Sequence, residues 1–183
     1  MVDKPLWVFG YGSLLWDPGF TPVETQIARL DGYHRSFCMW SIHHRGSEED
    51  PGLVLALDKS EAASCHGVAL RVADDETEAV LAALRERELI SSAYYEDVVP
   101  LSGSDGRVIS ALTYIINQDH RQYCGGLELE RQAQVIAKAT GGRGPNAEYL
   151  FNTVGHLNEL DIIDPELVWL VQRVKAIQGA SVA

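Results

Sequence analysis

The chain has 183 residues, 46% of them hydrophobic and 22% charged, the balance of a globular protein with one hydrophobic core. Its formal net charge of −11 excludes the broad basic surface that holds nucleic acid or anionic membrane, and no Lys/Arg cluster restores one locally. The longest apolar runs, such as Leu53–Leu57 and Val68–Leu70, are far too short to cross a bilayer, and Met1–Leu6, which carries Asp3 and Pro5, leads into no apolar leader stretch. The expectation is a single domain over residues 1–183, cytoplasmic, in which a small anionic ligand would need local donors.

Leu6–Tyr11 reads as a buried strand that enters a Gly-rich turn at Gly10–Ser13. Gln26–Trp40 predicts one or two strands, and His44–Gly52 a polar loop with the acidic run Glu48–Asp50 at its tip. Leu53–Leu57 and Cys65–Val72 predict two further strands, separated by Asp58–Ser64. Asp75 with Glu78 three residues on matches a capping box, so a helix is expected from there to about Leu89, ended by Ile90-Ser91-Ser92. Tyr94–Leu101 and Val108–Asn117 predict two strands joined by a turn around Gly103–Gly106.

The remainder predicts helices. Leu129, Ala133, Ile136, Ala137 and Thr140 share one face, and Gly141–Gly144 breaks that helix. Asn146 is expected to cap a helix carrying Leu150, Thr153, Val154 and Leu157. Asp164-Pro165 starts another, with Leu167, Leu170, Val171, Val174 and Ile177 as its apolar stripe. Strands do not alternate regularly with helices, so the fold class is α+β, a small, mainly antiparallel sheet or barrel with flanking helices.

The three cysteines, Cys38, Cys65 and Cys124, are widely spaced and form no CxxC, which predicts reduced packing residues. His43 and His44 are adjacent, would point to opposite sides of a strand, and make no simple ligand pair; no HExxH is present. No metal is expected.

Two features point to chemistry. The first is the turn Phe9-Gly10-Tyr11-Gly12-Ser13-Leu14 directly after the first strand. Glycines there allow positive φ and close approach of a ligand, and successive N–H groups can form an anion-binding nest. It is neither GxGxxG nor GxSxG, because position 15 is Leu15 and position 11 is Tyr11. A plain tight turn reads equally from these residues. The second feature is Glu88. Leu81, Leu84 and Glu88 share one helix face, so the carboxylate ends an apolar stripe where lost hydration raises its pKa and suits it to general acid/base work. A frayed helix end would instead leave Glu88 solvated.

Taken together, the blocks resemble the γ-glutamylcyclotransferase superfamily in its ChaC-like, glutathione-specific branch. Trp7–Trp16 is similar to its substrate-loop signature. Ser41-Ile42-His43-His44-Arg45-Gly46 resembles its SxxHRG stretch, and Pro51-Gly52-Leu53-Val54 its PGxV strand. His66-Gly67-Val68-Ala69-Leu70-Arg71 resembles a WGVAYR-like strand, with His66 for Trp and Leu70 for Tyr. Arg87-Glu88-Leu89 with Tyr94 resembles the segment bearing the catalytic Glu, although Arg85-Glu86 offers a rival pair. Asn146-Ala147-Glu148-Tyr149-Leu150 resembles the C-terminal NxEYL helix.

The resemblance implies a cofactor-free enzyme that converts glutathione to 5-oxoproline and cysteinylglycine. It implies Glu88 as the catalytic general base, and Val8, Phe9, Gly10, Tyr11, Gly12, Ser13 and Leu14 as the segment binding the γ-glutamyl end. Arg45, Tyr94 and Tyr149 are the further substrate-binding candidates. Other γ-glutamyl substrates, a non-catalytic γ-glutamyl-binding module and a serine hydrolase using Ser13 are the alternatives, the last without a placed His–Asp pair.

Overall fold

The computed structural model describes residues 4–181, so the sequence reading of Met1–Leu6 lies partly outside it. Within these residues the chain forms two compact units. One runs up to Arg35 and resumes at Leu57–His120; the other comprises Ser36–Ala56 and the chain from Arg121 onward.

Five strands form a closed barrel. Its strands are β1 (Trp7–Gly10), β2 (Glu24–Ser41), β3 (Gly52–Arg71), β4 (Tyr94–Gly103) and β5 (Val108–Ile116), in the order β1-β3-β2-β4-β5. The β1–β3, β2–β4 and β4–β5 pairings are antiparallel, and parallel pairings of β5 with β1 and with β3 close the ring. Alternation along the strands sorts the side chains. Trp7, Phe9, Leu30, Val99, Leu101, Ile109 and Ala111 belong to one core cluster. Val8, Leu112 and Tyr114 point the other way and, with Leu14, Val72, Val80 and Leu84, form a second. Val80 and Leu84 come from α1 (Thr77–Glu88), so this second cluster is where the helix packs. The α+β barrel expected from sequence is therefore the fold.

Several local expectations change. β2 is one strand of 18 residues. β3 is one strand of 20 residues, and the polar stretch Asp58–Ser64 continues it instead of dividing it. Strand pairing satisfies the backbone there whether or not the side chains are buried, so hydropathy alone misplaces the break. Asp75 caps nothing; Asp74–Glu76 forms a 3-10 turn and α1 begins at Thr77 with no side-chain cap.

In the second unit, α2 (Leu129–Lys138), α3 (Asn146–Glu159) and α4 (Pro165–Ala180) pack on one another. Their shared core includes Ala133, Ile136, Leu150, Leu157, Leu170 and Val174, and Arg173 of α4 binds Glu130 of α2 through Nε at 2.7 Å and Nη2 at 2.8 Å. Asp164 caps α4 as expected, accepting from Leu167 N, with Pro165 at the first helical position. Thr140 leaves the α2 face and pairs in a two-residue hairpin, β6 (Thr140–Gly141) with β7 (Gly144–Pro145).

Asn146 is not a cap. It is the first residue of α3, wholly buried, and its carboxamide faces β3. Its Oδ1 accepts from Leu53 N at 2.8 Å and its Nδ2 donates to Leu53 O at 2.7 Å. Three residues on, the Tyr149 hydroxyl accepts from Leu55 N at 3.3 Å. Replacing Asn146 with Ala strands both groups of Leu53 in the interior, and the expected loss is about 2–5 kcal/mol of unfolding free energy. A denaturant midpoint equal to that of the wild type, at unchanged slope, would show the clamp to be idle.

Candidate active site

The glycine turn leaves the barrel at the end of β1. Gly10 packs against the chain that follows it: a Cβ there would stand 3.2 Å from the carbonyl carbon of Leu14. Gly67 of β3 is tighter still, because a Cβ would run into the carbonyl oxygen of Gly10 and stand 2.8 Å from the Phe9 ring. Glycine is used here for close approach. The positive φ expected for the turn is absent, with Gly12 at φ −135°, and the left-handed glycines are Gly19, Gly32, Gly106, Gly126 and Gly144.

After Gly12 the chain makes a 3-10 turn, Ser13–Leu15. Leu15 N donates to Gly12 O, and Trp16 N and Asp17 N donate to Ser13 O. Among the described residues, the N–H groups of Gly12, Ser13 and Leu14 reach no acceptor. Three successive donors in one turn form the kind of concavity that receives an anionic oxygen.

Two arginines bind this turn. Arg35, 4% exposed, donates from Nη1 to the carbonyls of Tyr11 at 3.1 Å and His66 at 2.8 Å. In a planar trans peptide the C=O and the next N–H point in opposite directions. Pinning Tyr11 O on Arg35 therefore turns Gly12 N–H away from it. Arg87 binds the turn as well: Nη2 donates to Ser13 Oγ at 3.0 Å and Nη1 to Asp17 O at 2.7 Å.

Glu88 is the last residue of α1, and its side chain is only 16% exposed. Leu84, one turn before it, is buried, whereas the rival Glu86 is exposed. Burial raises the Glu88 carboxyl above its ordinary pKa, opposed by the Arg87 guanidinium, whose Nε lies 3.3 Å from Oε1. Tyr94 is half-buried against the same apolar cluster as Val8 and Leu14. Tyr11 turns inward, its hydroxyl donating to Tyr114 O at 3.0 Å. The side chains of Val8, Phe9, Tyr11 and Leu14 are thus core residues, and the backbone is what this segment offers a ligand.

Arg45 and Tyr149 belong to the second unit and meet there, with the guanidinium 5.7 Å from the ring centroid. Nη1 of Arg45 is committed to the carbonyls of Arg143 and Pro145. Tyr149 is buried, edge-on to Phe37 at 6.0 Å. The cysteines are free: Cys38 and Cys65 are buried, and burial pushes the Cys124 thiol up to about 12. Sequence reasoning passed over Arg35 and Gly67, and took Arg87 only as the neighbour of Glu88. The one signal for Arg35 was a charged residue opening the apolar run Phe37–Trp40.

A family model described as ChaC-like protein matches residues 6–177. The glutathione-specific gamma-glutamylcyclotransferase of Escherichia coli (strain K12) is 36% identical over 175 residues, covering 96% of this chain and 75% of that protein. Gamma-glutamylcyclotransferase 2-3 of Arabidopsis thaliana is 34% identical over 182 residues, covering 96% of this chain and 92% of that protein. The crystal structure of the yeast gamma-glutamyl cyclotransferase specific to glutathione superposes with a TM-score of 0.84 at 23% identity, over 95% of this chain and 97% of that one, a likeness of fold.

A carboxyl whose pKa is raised on folding stabilises the protein below its unfolded value, near 4.3, and loses that contribution as the pH rises through the folded value. Glu88→Gln removes the buried charge. Its stability relative to wild type is therefore expected to increase from pH 4 to pH 8, measured by denaturant unfolding of both proteins at each pH. A difference that stays flat, or reverses, contradicts a raised carboxyl at this position.

Proposed function

The chain belongs to the ChaC-like protein family, and on that premise we propose that it is a glutathione-specific γ-glutamylcyclotransferase with Glu88 as its general base. The single observation that supports this best is the pairing of a desolvated carboxylate at the end of α1 with a turn of three open N–H groups, joined by one arginine.

The reaction is an intramolecular aminolysis. Glu88 takes a proton from the substrate's α-ammonium group, which titrates near 7.7–8.0 when unperturbed. The freed amine attacks the γ-carbonyl carbon of the same glutamyl residue, and a C–N bond closes the five-membered lactam. The original γ-amide C–N bond then breaks: Glu88 returns its proton to the departing nitrogen, and the second proton shed by the new lactam nitrogen leaves on that same amine as its ammonium form. Products are 5-oxoproline and cysteinylglycine, with no water consumed. Attack within one molecule means that a folded glutamyl chain supplies much of the acceleration.

The N–H groups of Gly12, Ser13 and Leu14 suit either the oxyanion formed on the γ-carbonyl or the substrate α-carboxylate. The residues used here all belong to the first unit, and no step is assigned to Arg45 or Tyr149. We place the reaction in the cytoplasm, a setting supported by three free cysteines, since reducing compartments keep thiols unpaired.

Purified protein incubated with glutathione is expected to release 5-oxoproline and cysteinylglycine in equal amounts. Glu88→Gln should fold and lose about 10²- to 10⁴-fold in kcat, the usual contribution of a positioned base. Glu86→Gln should keep wild-type turnover. Absence of product from wild type sinks the glutathione assignment and directs the same assay to γ-glutamylamines and γ-glutamyl amino acids; binding without turnover of any of these would mark a binding module.

A further inference from the structure

Neighbouring residues on a helix point about 100° apart, so adjacent side chains do not ordinarily face each other. Arg87 nevertheless returns to its neighbour. Its Nε approaches Glu88 Oε1 at 3.3 Å, while Nη2 donates to Ser13 Oγ at 3.0 Å and Nη1 to the carbonyl of Asp17 at 2.7 Å. All three nitrogens of one planar group are engaged, one on the carboxylate and two on the turn. We propose that Arg87 is a positioning residue for the cyclisation, a rigid fork that fixes where the Glu88 carboxylate stands relative to the N–H groups of Gly12–Leu14. The proposal rests on the reading of Glu88 as the base.

The chemistry favours arginine specifically. A guanidinium holds its donors in a fixed plane, whereas an ammonium is a point charge on a flexible stem. Ser13 Oγ accepts from Arg87, which leaves the hydroxyl's own proton to donate. The other charged and titratable groups of this neighbourhood are engaged elsewhere. Tyr114 of β5 carries a phenol raised chiefly by burial, with Glu96 and Glu88 adding to it, and its hydroxyl donates to Glu96 Oε2 at 3.4 Å. Glu96 of β4 is held by Nε and Nη2 of Arg85 at 2.9 and 2.7 Å. Asp17 presents its carboxylate to Arg87 at 3.8 Å. Arg87 is accordingly the cation that meets Glu88.

The test compares Arg87→Met, which removes fork and charge, with Arg87→Lys, which keeps the charge alone. Both are read as kcat and kcat/KM for glutathione against pH, beside wild type and Glu88→Gln, with a thermal melt of each. Loss of the cation leaves burial unopposed, so the carboxylate ionises only at higher pH. Arg87→Met is expected to move the acid limb of the profile upward, each pH unit of movement being roughly tenfold in activity on that limb. Arg87→Lys is expected to keep the limb near its wild-type position and to lose kcat at every pH.

An Arg87→Met protein with a wild-type profile overturns the proposal, and so does a uniform loss with an unmoved limb, the mark of a merely structural contact. If Arg87→Met does not fold, Arg87→Lys decides: wild-type kcat overturns the fork, as does a lowered kcat that comes with a lowered melting temperature, whereas a lowered kcat at an unchanged melting temperature, KM and acid limb supports it. A Glu88→Gln protein that keeps both turnover and the acid limb identifies a failure of the base assignment itself. The proposal about Arg87 fails alone when Glu88→Gln is inactive and the Arg87→Met limb stays in place.

Discussion

A buried guanidinium fixes the point at which the first strand gives way to the glycine turn. Arg35 lies within β2, yet it holds the carbonyls of Tyr11, just past the end of β1, and of His66, within β3. Charge-assisted bonds of this kind are stronger than neutral ones, and these are shielded from water. Around them the backbones come as close as glycine allows, with Gly67 against the carbonyl of Gly10 and the ring of Phe9. The orientation of the Gly12 N–H follows from this anchor, because a peptide plane pinned at its oxygen has its nitrogen aimed as well.

The carboxylate opposite that turn is governed by two effects of opposite sign. Desolvation by the apolar cluster favours the neutral acid, and the adjacent guanidinium favours the anion. Burial is the larger of the two, so the carboxyl stands above its ordinary pKa. The location at a helix terminus matters as well. One turn earlier the side chain would sit where Leu84 does, wholly enclosed, and beyond the helix end the chain turns outward to an exposed Ile90.

Much of this was legible in the sequence. The glycine turn after a buried strand, the carboxylate on the stripe of α1 and the α+β class all follow from local pattern. What escaped depends on partners distant in the chain. Asp58–Ser64 reads as a break because its residues are polar, but the barrel's hydrogen-bond ladder holds it extended. Asn146 reads as a cap because asparagine commonly is one, and only the placement of β3 shows its carboxamide serving Leu53 instead. Arg35 carries little local signal, since a lone arginine on a strand is ordinarily a solvated one.

That service to Leu53 has a consequence for the side of β3 that faces α3. Residues two apart on a strand present their backbone groups to the same side. Leu53 offers its N–H and C=O there and Leu55 its N–H, and side chains three apart on α3 occupy all three. The carboxamide of Asn146 thus stands in for a missing strand. An exposed strand edge is a template on which a second chain can add itself, and proteins commonly guard such edges with charge, proline or a bulge. Here the guard is a helix that consumes the edge's hydrogen bonds one by one, so the strand stops recruiting partners at the point where the helix begins.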